Sequence, residues 1–273
     1  MKKFEGCLIC TDLDGTLLKN DLTISDRNKQ AIEYFKSEGG LFTFVTGRMP
    51  SYLGDIYSKV RPNCPIGCIN GGGVYDCEKQ KYLWTCPLPH SALDLVKSVD
   101  DTLENIGIIV VTFDKTYFCK ENATTAGVRK VTGVPNLVID YNNITEPISK
   151  VMFADANTDN LLKVIGILNS HSMSEQFSFI RSELALYEIL PKNINKGTAL
   201  SKLCEILDID IKNTIAFGDY DNDIGMLKTA GLGIAVSNAT DSAKAAADLV
   251  TVSNEEDALA VIIDAIDSGK VRL

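Results

Sequence analysis

The sequence predicts an α/β protein: a doubly wound (Rossmann-like) core domain built on a parallel sheet, with an inserted α+β domain. Two observations predict it. Apolar strand-like runs alternate with helical segments at both ends of the chain. In the middle, apolar runs follow one another through short links instead, which indicates antiparallel pairing. At 273 residues the chain is long enough for one large domain or two of ordinary size.

The first element is the apolar run through Leu8, Ile9 and Cys10, which ends at Asp12 and Asp14. Ser25 caps a helix over 26–38, closed by Gly39-Gly40. Leu41-Phe42-Thr43-Phe44-Val45-Thr46 is a continuous apolar, β-branched and aromatic strand. Together these form a strand, helix, strand unit, which implies a parallel sheet buried on both faces. A helix over 51–60 leads through proline-rich punctuation to a third strand at 65–70. The rhythm returns near the C-terminus, with helices over 197–207, 223–229, 242–248 and 255–266 and strands at 214–217 and 232–236. Between these halves lie strands at 108–113, 116–119, 177–180 and 184–190. The expected boundaries are 1–85 and 191–273 for the core domain and 86–190 for the insertion.

A net charge of -9, with no lysine or arginine cluster, argues against nucleic acid or an anionic membrane as partner. An acidic protein that handles an anionic substrate then needs a local positive device. No apolar run approaches the roughly 18 residues of a membrane span, and the start Met1-Lys2-Lys3-Phe4 lacks a long enough apolar stretch for a secretory signal. The reading is a cytoplasmic protein, so Asn-x-Ser/Thr matches at Asn122, Asn143 and Asn238 carry no weight. Eight cysteines fit that compartment as reduced core thiols. Cys7 and Cys10 point to opposite strand faces and cannot chelate together, and Cys64 with Cys68 is no better placed. Two histidines, His90 and His171, do not support a histidine-rich metal site.

Four features fall where strands end or helices begin, the places where open α/β sheets put their ligand sites. Asp12 and Asp14 concentrate charge where the backbone leaves the core; the pattern alone fits an acidic turn or an active site. Thr46-Gly47-Arg48 offers a hydroxyl and a glycine amide to a phosphate oxygen, although threonine in a strand and glycine in a turn are ordinary. Lys196 stands before a helix, where a cation opposes the macrodipole unless an anion binds there; an exposed solvated lysine is the plain alternative. Gly218-Asp219-Tyr220-Asp221-Asn222-Asp223 carries more carboxylates than a helix cap requires. It fails as an EF-hand loop, because Ala230 occupies the place of the bidentate Glu, whereas magnesium (Mg2+) needs only one or two carboxylates with phosphate and water. The set supplies a nucleophilic carboxylate, a second one for proton transfer, a phosphate hydroxyl, a cation and a metal cluster, the parts for phosphoryl transfer through an aspartyl-phosphate.

Asp12-Leu13-Asp14-Gly15-Thr16-Leu17, Val45-Thr46-Gly47-Arg48, Lys196-Gly197 and Gly218 to Asp223 resemble the four signature motifs of the haloacid dehalogenase-like superfamily. Ile69-Asn70-Gly71-Gly72, Glu188-Ile189-Leu190-Pro191 and the run from Gly233 to Ala239 are similar to its Cof-type subfamily of phosphatases. Asp14 and Thr46 are 32 positions apart and Thr46 and Lys196 are 150 apart, so the insertion falls between the second and third motifs, as in members with a large α/β cap. The resemblance implies that Asp12 is the nucleophile and Asp14 the general acid and base. It implies magnesium between Asp12, the backbone carbonyl of Asp14, and Asp219, with Asp223 orienting a metal-bound water and Asn222 nearby. Lys196, Thr46 and the amides of Leu13, Asp14 and Gly47 would hold the phosphoryl oxygens. The implied substrate is a small phosphorylated metabolite such as a sugar phosphate. A phosphomutase of sugar phosphates, or a non-catalytic phospho-metabolite sensor, is the alternative. Arg129, Arg181, Glu183 and Tyr187 are polar cap candidates or ordinary surface and packing residues, and the oligomeric state is not legible.

Overall fold

In the computed structural model, which describes residues 2–271, the opening apolar run becomes strand β1 (Leu8–Thr11), buried along its whole length. Continuous burial is what a central strand of a parallel sheet requires, since helices cover both faces. Ser25 caps helix α1 (Asp26–Ser37), accepting from the Asn28 amide at 3.1 Å. Strand β2 (Leu41–Phe44) pairs parallel with β1, Leu8 opposite Leu41 and Thr11 opposite Phe44. The helix expected over 51–60 is interrupted: a 3-10 turn over Pro50–Tyr52 comes first, and α2 (Gly54–Val60) starts at a left-handed glycine with φ 44°. The third strand also differs from the expectation. β3 (Ile66–Cys68) meets the parallel sheet only through a Val45 to Gly67 bridge and otherwise pairs antiparallel with β4 (Gly73–Asp76), which pairs with β5 (Lys81–Thr85). Left-handed backbone at Ile69 (φ 55°) and Asn70 (φ 51°) makes the reversal.

The chain divides into two compact units, Met1–Thr85 with Asn195–Leu273, and Cys86–Ile194. The second contains α3 (Ala92–Asp100), β6 (Gly107–Thr112), β7 (Thr116–Lys120), α4 (Ala123–Thr132), β8 (Ile148–Ala154), α5 (Thr158–Ser170), β9 (Phe177–Glu183) and β10 (Leu186–Pro191). Its sheet runs β7-β6-β8-β10-β9, antiparallel throughout. Period-two alternation sorts the two faces. Ile108, Val110, Val151, Phe153 and Ile189 join Val96, Val99, Leu161 and Val164 of α3 and α5 in one apolar core. Lys150 and Glu188 lie on the other face as a buried ion pair, 2.9 and 3.0 Å from Nζ to the two carboxylate oxygens, with Ser182 donating at 2.7 Å. Of the polar cap candidates, Tyr187 packs in that core, Arg129 pairs with Glu121, Arg181 donates to the Leu184 carbonyl, and Glu183 is exposed.

The first unit resumes with α6 (Lys196–Leu207), β11 (Thr214–Gly218), α7 (Ile224–Thr229), β12 (Leu232–Ala235), α8 (Asp241–Ala246), β13 (Leu249–Val250) and α9 (Ala258–Asp267). All strands of its sheet are parallel in the order β13-β12-β11-β1-β2. The two-residue edge strand β13 has no counterpart in the sequence reading. Leu8, Cys10, Val45, Leu200, Leu203, Ala216 and Met226 form a core between this parallel sheet and its helices. All eight cysteines are free thiols, and burial pushes those of Cys10, Cys64 and Cys68 up. Among the described residues no helix is long and apolar enough to cross a membrane. Because β1 sits between β2 and β11, the strand order reverses beside its carboxyl end, which opens a crevice there.

Candidate active site

The crevice is built from chain ends that the parallel sheet points the same way. The Asp12 amide donates to the Phe217 carbonyl at 3.0 Å, fixing the exit of β1 against β11. The chain then turns at Asp14 (φ -73°, ψ 124°) and Gly15 (φ 76°, ψ -5°), the two central positions of a type II turn. Gly15 is doubly constrained. Its φ is left-handed, and a Cβ there would come within 2.4 Å of Asp219 Oδ2. Thr16 follows and donates from Oγ1 to Asp219 Oδ1 at 2.6 Å.

Lys196 is fully buried, and Nζ lies 2.8 Å from Asp12 Oδ1 and 2.6 Å from Asp223 Oδ1. The Asn195 side chain caps α6 by accepting from the Gly197 amide at 2.8 Å, which sets the lysine at the helix start. Asp223 is held equally firmly: its Oδ2 accepts from the amides of Asp219 and Tyr220 at 2.9 and 3.0 Å. Ligand atoms of Asp12, Asp219 and Asp223 all lie within 4.8 Å of one another. Burial, only partly opposed by Lys196 and aided by Asp223 and Asp219, pushes the Asp12 carboxyl well up. The Asp219 carboxyl is pushed up to about 6 by burial and by Asp223, against the Thr16 hydrogen bond. Burial alone would lower the Lys196 ammonium, but the charges of Asp12 and Asp223 more than offset it and keep it protonated. Three ionised carboxylates around one ammonium leave two surplus negative charges, which a divalent cation would neutralise. Hard oxygen donors suit magnesium, so the donor set fits that ion.

The remaining expected residues are placed as follows. Leu13 is buried, and its carbonyl accepts from Leu18. Buried Thr46 accepts from the Arg48 amide at Oγ1, 3.2 Å, and from the Asn70 amide at its carbonyl. The Asn70 side chain lies against Gly47 and accepts from Asn222 Nδ2 at 3.1 Å. The Asn222 atom without a hydrogen-bond partner among the described residues is its buried Oδ1, an acceptor. The Asp14 side chain is not part of the three-carboxylate group. It is 44% exposed and takes Arg48 in a fork, Nε to Oδ2 at 2.9 Å and Nη2 to Oδ1 at 2.6 Å. Asp221 also stands apart, accepting from Thr240 and Ser242 at the start of α8. Thr16 and Arg48 are site residues to which sequence reasoning gave no role; both sit inside quoted motifs, and only their partners were hidden.

The model of the haloacid dehalogenase-like hydrolase family matches residues 9–263. The chain belongs to the haloacid dehalogenase-like hydrolases. It is similar to 5-amino-6-(5-phospho-D-ribitylamino)uracil phosphatase YitU of Bacillus subtilis, 29% identical with 93% of this chain and 94% of that one covered. A second Bacillus subtilis protein named as a phosphatase of the same compound, YwtE, is 28% identical over 96% and 98% of the two chains. Among solved structures, a haloacid dehalogenase-like hydrolase from Bacteroides thetaiotaomicron superposes with a TM-score of 0.81 at 25% identity, covering 95% of this chain and 99% of that one. The chain is therefore a hydrolase of the phosphatase class, with the α/β architecture of the family.

Proposed function

We propose that this haloacid dehalogenase-like hydrolase is a magnesium-dependent phosphatase of small phosphorylated metabolites, sugar phosphates or related phosphomonoesters, working through a phosphoryl group carried on Asp12. The observation that carries this reading is the fully buried Lys196, held between Asp12 and Asp223 beside Asp219. Burying charges costs several kcal/mol per ion even after relaxation, so a purely structural role for four of them in one crevice is a poor account.

In the proposed reaction an Asp12 carboxylate oxygen attacks phosphorus, the bond from phosphorus to the leaving alkoxide breaks, and Asp14 protonates that alkoxide. Asp14 then takes a proton from water as the water oxygen attacks phosphorus, the Asp12 to phosphorus bond breaks, and inorganic phosphate departs with Asp12 restored. Lys196, the Thr46 hydroxyl and the amides of Leu13, Asp14 and Gly47 orient and neutralise the phosphoryl oxygens, with Asn222 beside them. Magnesium, held by Asp12, Asp219 and the Asp14 carbonyl with Asp223 beside them, would supply further charge neutralisation on those oxygens. The second unit selects the leaving group, and the eight free thiols suit a reducing cytoplasm.

Hydrolysis of p-nitrophenyl phosphate with magnesium and with EDTA tests the reading. Turnover that needs magnesium supports it; no turnover at any pH by folded protein contradicts it. A phosphometabolite panel that includes 5-amino-6-(5-phospho-D-ribitylamino)uracil, the compound in the relatives' names, then locates the substrate.

A further inference from the structure

We propose that Arg48 is the positioning residue of the proton-transfer step, clamping Asp14 at a fixed angle to the phosphate-binding loop; this rests on the phosphatase reading above. The first ground is the contrast in how the two carboxylates are held. Asp12 is buried and fixed by its ion pair with Lys196, whereas the Asp14 side chain is 44% exposed on a turn that leaves its rotamer free. A general acid has to deliver its proton to one oxygen, and a misplacement of about 1 Å costs about a hundredfold in rate.

The second ground is the clamp itself. Arg48 meets Asp14 through Nε and Nη2, at 2.9 and 2.6 Å, so the two planar groups lock edge to edge. A lysine could supply the charge but not the plane. Each carboxylate oxygen keeps a further lone pair, so the clamp leaves Asp14 able to exchange a proton with a ligand.

The third ground is where the clamp is rooted. The Arg48 amide donates to Thr46 Oγ1 at 3.2 Å, and Nη1 reaches the Tyr52 carbonyl at 3.5 Å. The residue that holds Asp14 is therefore tied by its backbone to the hydroxyl proposed to hold the phosphoryl group. One short loop, 46–52, thus fixes the proton donor relative to the group whose leaving oxygen needs the proton.

The test compares kcat/KM for phenyl phosphate and p-nitrophenyl phosphate, two esters of similar shape. p-Nitrophenolate leaves readily without a proton and phenolate does not, and kcat/KM for each reports passage through Asp12 phosphorylation. Arg48→Ala and Arg48→Lys should each lose about tenfold more on phenyl phosphate than on p-nitrophenyl phosphate, a fraction of the 10²–10⁴ range of general acid catalysis. Asp14→Asn should show the same selective loss, and Arg48→Lys/Asp14→Asn no more than Asp14→Asn alone, because the two residues act as a unit. Equal losses on both esters would show that Arg48 binds the phosphoryl group itself and would overturn the proposal, as would additive losses in the double variant. Wild-type protein that hydrolyses neither ester overturns the phosphatase reading instead, a separate outcome.

Discussion

Replacing Lys196 with methionine keeps the volume of the stem and removes the ammonium shared by Asp12 and Asp223. The Asp12 and Asp223 side chains are 8% and 0% exposed, so water cannot replace the lost partner. Removing one member of a buried ion pair costs about 3–5 kcal/mol. At about 2–4 °C per kcal/mol for a unit of this size, metal-free protein near neutral pH should melt about 6–20 °C lower. The deficit should shrink as pH falls, because the Asp219 carboxyl, pushed up to about 6 even against the charge of Lys196, takes up a proton more readily once that charge is gone and relieves part of the repulsion. Turnover should fall at least about a hundredfold, the scale of losing one preorganised donor to a developing anion. Scanning calorimetry in EDTA and p-nitrophenyl phosphate assays with magnesium read the two effects. A melting temperature within about 2 °C of wild type, with activity within about tenfold, would show that neither the fold nor turnover depends on the buried ammonium.

Asp12→Asn should abolish turnover while melting in EDTA at or above the wild-type temperature, since the fold raises that carboxyl and so disfavours its ionised form; a drop of several degrees would contradict this. With the Asp219 carboxyl raised to about 6 from 3.8, the folded state binds more protons than the unfolded one between those values. Its contribution to metal-free stability is therefore full below the unfolded value and lost as pH rises through the folded one, at most about 3 kcal/mol in all. Stabilisation by magnesium should grow over the same window as protons cease to compete, and a larger magnesium shift near pH 5 than near pH 8 would count against it. In the second unit, Lys150→Met should destabilise by about 3–5 kcal/mol, whereas Lys150→Met with Glu188→Leu should be close to neutral; a double variant less stable than the single one would exclude that reading.

The site residues are legible where topology forces them together. Asp12 and Asp219 follow parallel strand ends and Lys196 opens a helix, and a doubly wound sheet directs such ends to one crevice. Asp221 has the same chemistry as its neighbours but turns to Thr240 and Ser242, because residues two apart on a 3-10 turn face different ways. The Arg48 to Asp14 fork depends on rotamers and on the loop between β2 and α2, which periodicity does not encode. Ile66–Cys68 has the apolar character of a buried parallel strand, and the antiparallel hairpin it enters turns on left-handed backbone at Ile69, Asn70 and Gly71; Asn70-Gly71-Gly72 carries a turn signal, but the apolar run before it outweighs that signal in the reading of 65–70 as one strand. The exposed strand β13 is two residues long, too short for any pattern.

In the proposed reaction the phosphoryl group resides on Asp12 during turnover. Asp14→Asn should slow the second step more than the first with p-nitrophenyl phosphate, so the intermediate should accumulate. Rapid acid quench of that variant with substrate and magnesium, followed by peptide mass spectrometry, should place a phosphoryl group on the peptide containing Asp12 and on its carboxylate. Burst release of p-nitrophenol with no phosphorylated peptide, or with the phosphoryl group on another residue, would rule out Asp12 as the nucleophile.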